Sequence, residues 1–467
     1  MNASTPSTPT SIDWRLAKHA TGVQYADLSA HTVNRIATFV ADTLSVGMAG
    51  SAVTEAQTLH QSLAAHDANP STTVWGTGQT LSTPNAIMAN AFNVHCQEFD
   101  CVHEGAVVHA MATLLPVLMA EVEQRHHNAR AVTGQELCTA VAAGINVACT
   151  LGLAASQAMQ FFRPATAGGF GAVAALARLR NYSAAQLVSA WGFQLAQTSG
   201  TMQGHREGSP VLPLQVSFNA RAAWQACELA NSGLASLSAP ITGSNGYLAM
   251  FEVESAIPPL VDTLGHVWRI DEFSHKPYPS GRATHAGIEA LIQLMHQHAL
   301  SAEQIQAVHV VGPSLISRLV NRPALASPSP NYARLCMPYV LAKVMQHGQL
   351  LPDHYSQAQL NDPASFELAQ RVSMTVDDNP DPNAFTPVTV RVALIDGTEH
   401  ELVIDHMLAS PKRPLSEQQC ADKFNQCCAL APVSPKQPQT LFNDIMAIDA
   451  AADVASLIAQ PADLSHH

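Results

Sequence analysis

The feature that most restricts how this chain folds is a stretch of 26 residues without a charged side chain, positions 137–162, between Glu136 and Arg163. Such a stretch belongs either in a membrane or in the core of a protein. It is rich in Ala and Gly rather than in Leu, Ile and Phe, and polar residues such as Asn146 interrupt it. Insertion into a bilayer would therefore gain little free energy. We expect a buried, tightly packed helix and no membrane partner.

The whole chain is poor in charge. Charged residues make up 13% of its 467 residues, about half the roughly 25% of an ordinary soluble domain. The formal net charge of −13 excludes a nucleic-acid partner bound by bulk positive charge. So few charges make a poor monomer surface, which predicts that a second copy of the chain covers part of it. Nine cysteines, without paired spacing, indicate a reduced, cytoplasmic protein.

The residue pattern divides the chain into three kinds of region. Residues 1–13 show no signal peptide, and we expect them to be disordered. Ala-rich helical patterns fill residues 14–269 and return in 406–467, which predicts one all-helical domain. Residues 270–405 predict a smaller α+β domain, with a strand at 305–312 and a hairpin that turns at Asp396-Gly397. The predicted fold class is therefore mainly α.

The densest group of ionisable residues lies between positions 95 and 109. Only eight residues in 81–160 are Asp, Glu, Lys or Arg, and three of them fall here beside three histidines. Burial of such groups without partners is costly, so we expect them to line a polar cavity. The alternatives are a solvated helix end and a metal site, although no spacing typical of zinc is present. The group comprises His95, Glu98, Asp100, His103, Glu104 and His109.

Two further segments present cations suited to a small anion. Arg163 precedes the glycine-rich residues 168–171, where backbone N–H groups at a helix N-terminus suit a carboxylate, although the glycines also suit a close helix–helix turn. Residues 275–285 form a stiff loop at the predicted domain junction, where a plain linker is the alternative. This loop holds Lys276, Tyr278, Arg282 and His285. Weaker candidates are the segments 205–209 and 317–323.

These groups together favour one kind of chemistry. Acidic and histidine side chains facing Lys276, Arg282 and Arg163 suit an anionic substrate that loses a proton beside a carboxylate. The cations neutralise the charge that develops on the carboxylate, while a histidine or a carboxylate acts as the base. Loss of water, loss of carbon dioxide and epimerisation all share this demand, so the residues leave these three reactions open.

At these residues the sequence resembles the MmgE/PrpD family, which includes 2-methylcitrate dehydratase, cis-aconitate decarboxylase and iminodisuccinate epimerase. The resemblance rests on the order and spacing of Phe99-Asp100, the Arg163-Pro164 turn, the loop after His275, and the segments 321–323 and 414–424. It implies a large all-helical domain completed by the C-terminal helices, a smaller α+β lid and a homodimer. It also implies an active site between the domains and neither a metal nor an organic cofactor.

The resemblance implies roles for single residues. His109 matches the family's catalytic histidine and is the expected acid and base, with Asp100 orienting it and His103 as a second proton donor. Lys276 matches the lid lysine of the family and is expected to take part in catalysis. The side chains expected to bind the substrate beside it are Arg163, Tyr278, Arg282 and His285.

The sequence departs from the family's pattern at Cys101, Arg163 and Leu212. The family commonly has an aspartate at the first position and a histidine at the second, and the decarboxylase has a substrate-binding lysine at the third. The expected function is a cofactor-free lyase for a small di- or tricarboxylate, in the first place a dehydratase. Alternatives within the family are a decarboxylase or an epimerase, the latter with Lys276 or Tyr278 as a second base. A non-catalytic carboxylate-binding protein is the alternative from another class.

Overall fold

The computed structural model describes residues 10–252 and 255–457, and within them the protein is mainly α-helical. Residues 1–9 of the segment predicted to be disordered lie outside the described residues. The prediction is wrong for Ile12 and Asp13, which belong to the first helix. The Ser11 side chain caps this helix by accepting from the Trp14 backbone N–H, and the buried Asp13 carboxylate accepts from the Ile241 backbone N–H at 2.7 Å.

The helices fall into three groups along the chain. Those before residue 262 are α1 Ile12–Gly22, α2 Ala30–Gly50, α3 Thr54–Ala64, α4 Thr83–His95, α5 Ala110–His127, α6 Gly134–Ala154, α7 Arg163–Leu179, α8 Ala184–Leu195, α9 Gln203–Glu207, α10 Val211–Asn231, α11 Tyr247–Phe251 and α12 Ile257–Val261. The next are α13 His285–Gln297, α14 Ser314–Val320, α15 Pro330–Arg334, α16 Met337–His347, α17 Gln357–Leu360 and α18 Pro363–Ala369. The last are α19 Glu417–Leu430 and α20 Pro438–Met446.

The strands form small sheets. Two of these sheets have two strands each, β1 Thr72–Val74 with β2 Gln79–Leu81, and β3 Val102–His103 with β4 Phe273–Ser274. The larger sheet contains β5 Ile305–Gly312, β6 Val372–Val376, β7 Val388–Leu394 and β8 Glu399–Ile404 in the order β6-β5-β7-β8. Only β5 and β6 run parallel. The predicted strand and hairpin are confirmed, and Gly397 adopts the positive φ of 88° that the tight turn requires.

Two main hydrophobic cores organise these elements. The larger core joins most of the helices before residue 262 to the last helices, with Phe424 and Phe442 packed into it. The second core surrounds the four-stranded sheet and includes Val308, Val390 and Leu341. The short pair β3–β4 ties the loop between α4 and α5 to the segment that leads into the second core. The region between the cores is therefore where side chains from both parts of the chain meet.

Helix α6 occupies the uncharged stretch. It ends at Ala154. The next residue, Ala155, is extended and pairs with Ser255 in an isolated β-bridge. By length and composition α6 is able to cross a membrane, and α2 with α3 passes the same test as one bent span. However, 94% of the apolar window of α6 is buried inside the protein, as in the core helix of a soluble protein.

Glycines allow α6 and α7 to approach closely. A Cβ atom added at Gly171 would lie 2.6 Å from the Ala148 Cβ and 2.7 Å from the Gly144 carbonyl oxygen. Both contacts are shorter than atoms tolerate, and one is with backbone that is held in a helix. The small residues of the uncharged stretch therefore provide close helix packing, as its composition predicts.

The substitution Gly171→Ala should lower the free energy of unfolding by about 1–3 kcal/mol, because the added methyl group forces the two helices apart. Chemical denaturation measures this change. The matched control is Gly22→Ala at the end of α1, where no atom lies within 4 Å of the added Cβ, and the change should stay within about 0.5 kcal/mol. Equal effects of the two substitutions would contradict the packing argument.

Candidate active site

The loop between α4 and α5 builds the centre of the site. Helix α4 ends at His95, and α5 begins directly after His109. Glu98 and Val107 adopt positive φ angles of 51° and 52°, which non-glycine residues rarely do. These two reversals fold the loop back on itself, and strand β3 anchors it to β4. Strained backbone of this kind is concentrated at functional sites.

Asp100 is the fully buried hub of this loop. Its Oδ2 atom lies 3.0 Å from the His95 Nδ1 and 2.9 Å from the His109 Nδ1. From the loop after β4, the Lys276 ammonium donates to the Glu98 Oε2 at 2.8 Å and lies 3.9 Å from the Asp100 Oδ1. Asp100, His109 and Lys276, which the sequence assigns to one site, are therefore brought together.

Burial and charge set the protonation of these groups. Burial raises the pKa of Asp100, but His109, His95 and Lys276 outweigh it and hold that pKa well below its usual range. Burial likewise opposes the effect of Lys276 on Glu98, and the resulting pKa is about 2. Both carboxyl groups are thus ionised at neutral pH.

The two histidines that contact Asp100 differ. Burial lowers the pKa of His95, but Asp100 and Glu98 outweigh this effect, so the net shift is upward and favours the imidazolium. Burial also lowers the pKa of His109, and there the net shift stays downward despite Asp100. His109 is therefore neutral, with Nδ1–H donating to Asp100 and a lone pair on Nε2, as a general base requires.

A cavity of about 50 Å³ lies beside His109. His109, Glu98, His205 and Arg282 are its polar wall residues. The remaining wall residues are Val102, Val107, Met159, Phe162, Pro164, Met202, Gly281, Ala283, Leu319, Val320, Leu335 and Phe385. The walls come from both cores, so the cavity lies between the two parts of the chain.

Arg282 reaches the cavity wall as the sequence predicts. Its Nε donates to the Glu104 Oε1 at 2.8 Å, and its Nη1 donates to the Leu408 carbonyl at 3.0 Å. Its Nη2 atom is buried and has no hydrogen-bond partner among the described residues. Arg282 is therefore a cation with a free donor at the site, as a carboxylate ligand requires.

His103 and Arg163 are not among the wall residues of this cavity, and the roles predicted for them stay predictions. The His103 Nδ1 accepts from the Ala106 backbone N–H at 3.0 Å, and its Nε2 donates to Glu272 at 2.7 Å. Both ring nitrogens thus hold the loop in shape. The Arg163 Nε pairs with the Glu252 Oε1 at 3.0 Å, much as Arg282 pairs with Glu104, and the Arg163 Nη1 is buried without a hydrogen-bond partner among the described residues.

Tyr278 and His285 also lie outside the wall described above, and their contact with substrate stays a prediction. The His285 Nε2 donates to the Ser280 carbonyl at 3.2 Å, which leaves Nδ1 as an acceptor 3.3 Å from the Arg282 Nη1. Burial lowers the pKa of His285 well below its usual value, in keeping with a neutral ring. The Tyr278 ring packs edge-on against His285, so both side chains support Arg282.

His95, Glu98 and His205 have structural roles at the site that the sequence did not assign. In the sequence, His95 and Glu98 stand out because they belong to a dense group of ionisable residues at positions 95–109 in a region that is otherwise poor in charge. His205 belongs to a segment that the sequence marked as a weaker candidate. Its Nδ1 lies 3.3 Å from the Arg322 Nη2, which is a donor, so the His205 Nε2 carries the proton. Burial and the Arg322 guanidinium together lower the pKa of His205 to about 4.

A cation-binding arrangement also occurs within this cluster. One ligand atom each from His95, Asp100 and His109 lie within 4.8 Å of one another, a spacing that could hold a metal ion. The Nδ1 atoms of His95 and His109 are each at hydrogen-bond distance from the Asp100 Oδ2, and the Lys276 ammonium lies 3.9 Å from the Asp100 Oδ1. The positive charge of Lys276 opposes a metal ion there, so the geometry favours the hydrogen-bonded arrangement.

Comparison with known proteins connects both parts of the chain to one family. The model of the MmgE/PrpD N-terminal domain matches residues 14–258, and that of the MmgE/PrpD C-terminal domain matches residues 278–447. Two relatives from Aspergillus terreus, one of them from strain NIH 2624 / FGSC A1156, are each named cis-aconitate decarboxylase. Each is 21% identical over 453 residues, which cover 92% of this chain and 92% of the relative.

His205 should make folding stability depend on acid. The pKa of His205 is about 4 in the folded chain and 6.5 in the unfolded chain. Between these two pH values the ring therefore binds a proton in the unfolded chain but stays neutral in the folded chain. The free energy of unfolding therefore falls as the pH drops from 6.5 towards 4. In His205→Gln, the loss of stability between about pH 8 and about pH 5 should be smaller by about 2 kcal/mol. Denaturant titrations at both pH values measure this, and an unchanged difference would refute the pKa assignment.

Proposed function

This chain belongs to the MmgE/PrpD family, and we propose that it is a lyase that removes a proton from the carbon next to a carboxylate of a small acid, acting as a dehydratase. One observation carries this proposal: His109 lines the cavity while its Nδ1 donates to the buried Asp100. The names of the two relatives support a carboxylate substrate for this chain.

His109 would act as the base. Asp100 fixes its tautomer and stabilises the imidazolium that forms when Nε2 takes the proton. Such a carbon acid is weak, so the negative charge that develops on the substrate carboxylate needs a cation. Arg282, with its buried and unpartnered Nη2, supplies this cation.

The second half of the reaction would be the loss of water. The C–H electron pair forms the carbon–carbon double bond as the C–O bond breaks, and the departing hydroxide takes up the proton that His109 removed, so that water leaves and His109 returns to its neutral form. His205 donates a hydrogen bond from Nε2–H to this oxygen and keeps its proton, because its Nδ1 accepts from Arg322.

The contacts support dehydration over epimerisation. An epimerase needs a second base on the opposite face of the same carbon, and the sequence suggested Lys276 or Tyr278. Lys276 is engaged with Glu98, and Tyr278 packs on His285 outside the wall described above. A dehydratase needs one base and one donor to the leaving oxygen, and His109 and His205 meet these two needs.

A panel of small hydroxy acids with one, two or three carboxylates, incubated with the protein in heavy water and followed by proton NMR, tests this proposal. Dehydration gives a new vinyl signal and removes the signal of the C–H next to the carboxylate. Deuterium exchange without a net product would point to epimerisation, and loss of carbon dioxide to a decarboxylase. Binding of an acid without any exchange would support the non-catalytic alternative.

The substitution His109→Gln should lower kcat by about 10²–10⁴-fold while the protein stays folded, because the base is lost. His296→Gln is the matched control, since His296 is exposed near the end of α13 and far from the cavity wall. Its kcat should stay within about twofold of the wild-type value. Undiminished turnover by His109→Gln would remove His109 as the base.

A further inference from the structure

A second cleft, of about 450 Å³, lies between the two parts of the chain. Its wall residues come from the helical part, at the end of α2 and the start of α3, and from the part around the four-stranded sheet, at α15 and in the segment 352–360. Gln97, in the loop between α4 and α5, also belongs to this wall. The cleft shares no wall residue with the cavity at His109. Its volume is typical of small-molecule sites.

Arg334 is a buried cation in the wall of this cleft. The residue is only 5% exposed, and its guanidinium carbon lies 4.7 Å from the centre of the Tyr355 ring. The Arg334 Nε atom is buried and has no hydrogen-bond partner among the described residues, and no carboxylate of these residues forms an ion pair with the guanidinium. Since Arg334 is a wall residue, its free donors are available to a ligand in the cleft.

The other buried arginines are bonded. Five arginines of the described residues are buried, and four of them donate a hydrogen bond to an oxygen of the protein. These are Arg35 to the Phe273 carbonyl, Arg163 to Glu252, Arg269 to Glu272 and Arg282 to Glu104. A guanidinium stays charged at any ordinary pH, and its burial is costly without an acceptor or a counter-charge. Arg334 therefore lacks a partner that each of the others has.

Two more polar atoms of the same wall are buried without a partner among the described residues. They are the Tyr355 hydroxyl and the Gln97 Oε1. The Gln97 Nε2 donates to the Ala49 carbonyl at 3.5 Å, which leaves its Oε1 as a free acceptor. Native interiors leave few polar groups unpaired, and each such group needs an explanation. Three of them in one wall indicate a polar ligand.

The cleft also has two acidic wall residues, the half-buried Glu55 and the exposed Asp353. Both would repel an anion. Water and salt screen such charges, whereas the charge of the buried Arg334 guanidinium is screened much less. The attraction by Arg334 therefore outweighs the repulsion for a ligand that reaches the guanidinium.

We propose that Arg334 anchors a second anion-binding site, separate from the cavity at His109, for a small ligand that bears a carboxylate or a phosphate group. The planar fork of a guanidinium matches two oxygen atoms of either group. The Tyr355 hydroxyl completes the polar contacts. The body of the ligand packs against apolar wall residues such as Leu360 and Leu430.

This second site adjoins the backbone of the cavity at His109 in two places. Gln97 directly precedes Glu98, which lines that cavity. The Arg334 carbonyl accepts from the backbone N–H of Gly281 at 3.0 Å, and Gly281 is a wall residue of the same cavity. A ligand at Arg334 thus binds directly behind the catalytic loop.

Titration calorimetry with sodium phosphate and with sodium acetate tests the site, with sodium chloride at equal ionic strength as the reference. The net charge of −13 gives the chain no bulk attraction for anions, so saturable binding reports a local site. Arg334→Met keeps an apolar stem against Tyr355 and removes the charge. It should weaken binding at least about tenfold, because the charged hydrogen bonds are lost.

Arg130→Gln is the matched control, since Arg130 is exposed and lines a different cleft, at the end of α5. It should change the Kd less than about twofold. Glu55→Gln removes a repelling charge and should strengthen binding at least about twofold. If thermal denaturation shows that Arg334→Met does not fold, Glu55→Gln and Tyr355→Phe, which should weaken binding, decide the test.

The probe that binds more tightly identifies the charged group that the site prefers. The proposal is overturned if neither anion binds the wild-type protein up to about 10 mM, or if a folded Arg334→Met binds as the wild type does. A loss of binding in Arg130→Gln, or an unchanged Kd in Glu55→Gln, would likewise place the anion elsewhere. These measurements use no turnover, so their result does not depend on the proposed lyase reaction.

Discussion

The site depends on one buried carboxylate, that of Asp100. Its Oδ2 atom contacts two imidazoles, and removal of it would leave both rings in the interior without their shared acceptor. The carboxylate also decides what His109 does, because it fixes the proton on Nδ1 and leaves the Nε2 lone pair at the cavity. The charge of Asp100 is tolerable in the interior only because cations surround it, and Lys276 is one of them.

Distant parts of the chain hold this carboxylate in place. The loop after β4 supplies Lys276, which reaches Glu98 across 178 positions of sequence. Helix α19 supplies Lys423, which donates to the Asp42 carboxylate at 2.6 Å and to the Phe99 carbonyl at 2.9 Å. The residue directly before Asp100 is thereby fixed from behind by the C-terminal helices. The C-terminal helices, which pack into the larger core through Phe424 and Phe442, thus also help to position the loop of the site.

The sequence predicts those features that arise from local patterns. Alternation and the Asp396-Gly397 turn predict the hairpin, and the scarcity of charge marks positions 95–109 as a site. The different roles of the histidines could not be predicted, because they depend on left-handed backbone at Glu98 and Val107 and on the bonds of His103 to Ala106 and Glu272. Arg163 pairs with Glu252, which lies 89 positions later, and no local sequence pattern predicts this ion pair. Pairing over such distances is set by tertiary packing.

The protonation state of His109 is the central claim of this account, and nitrogen NMR of the ¹⁵N-histidine-labelled protein tests it most directly. The His109→Gln variant identifies the signals of this residue. At neutral pH the account predicts a neutral His109 ring with the proton on Nδ1 and an unprotonated Nε2. A His109 ring protonated on Nε2, or on both nitrogens, would contradict it, because no lone pair would then face the cavity.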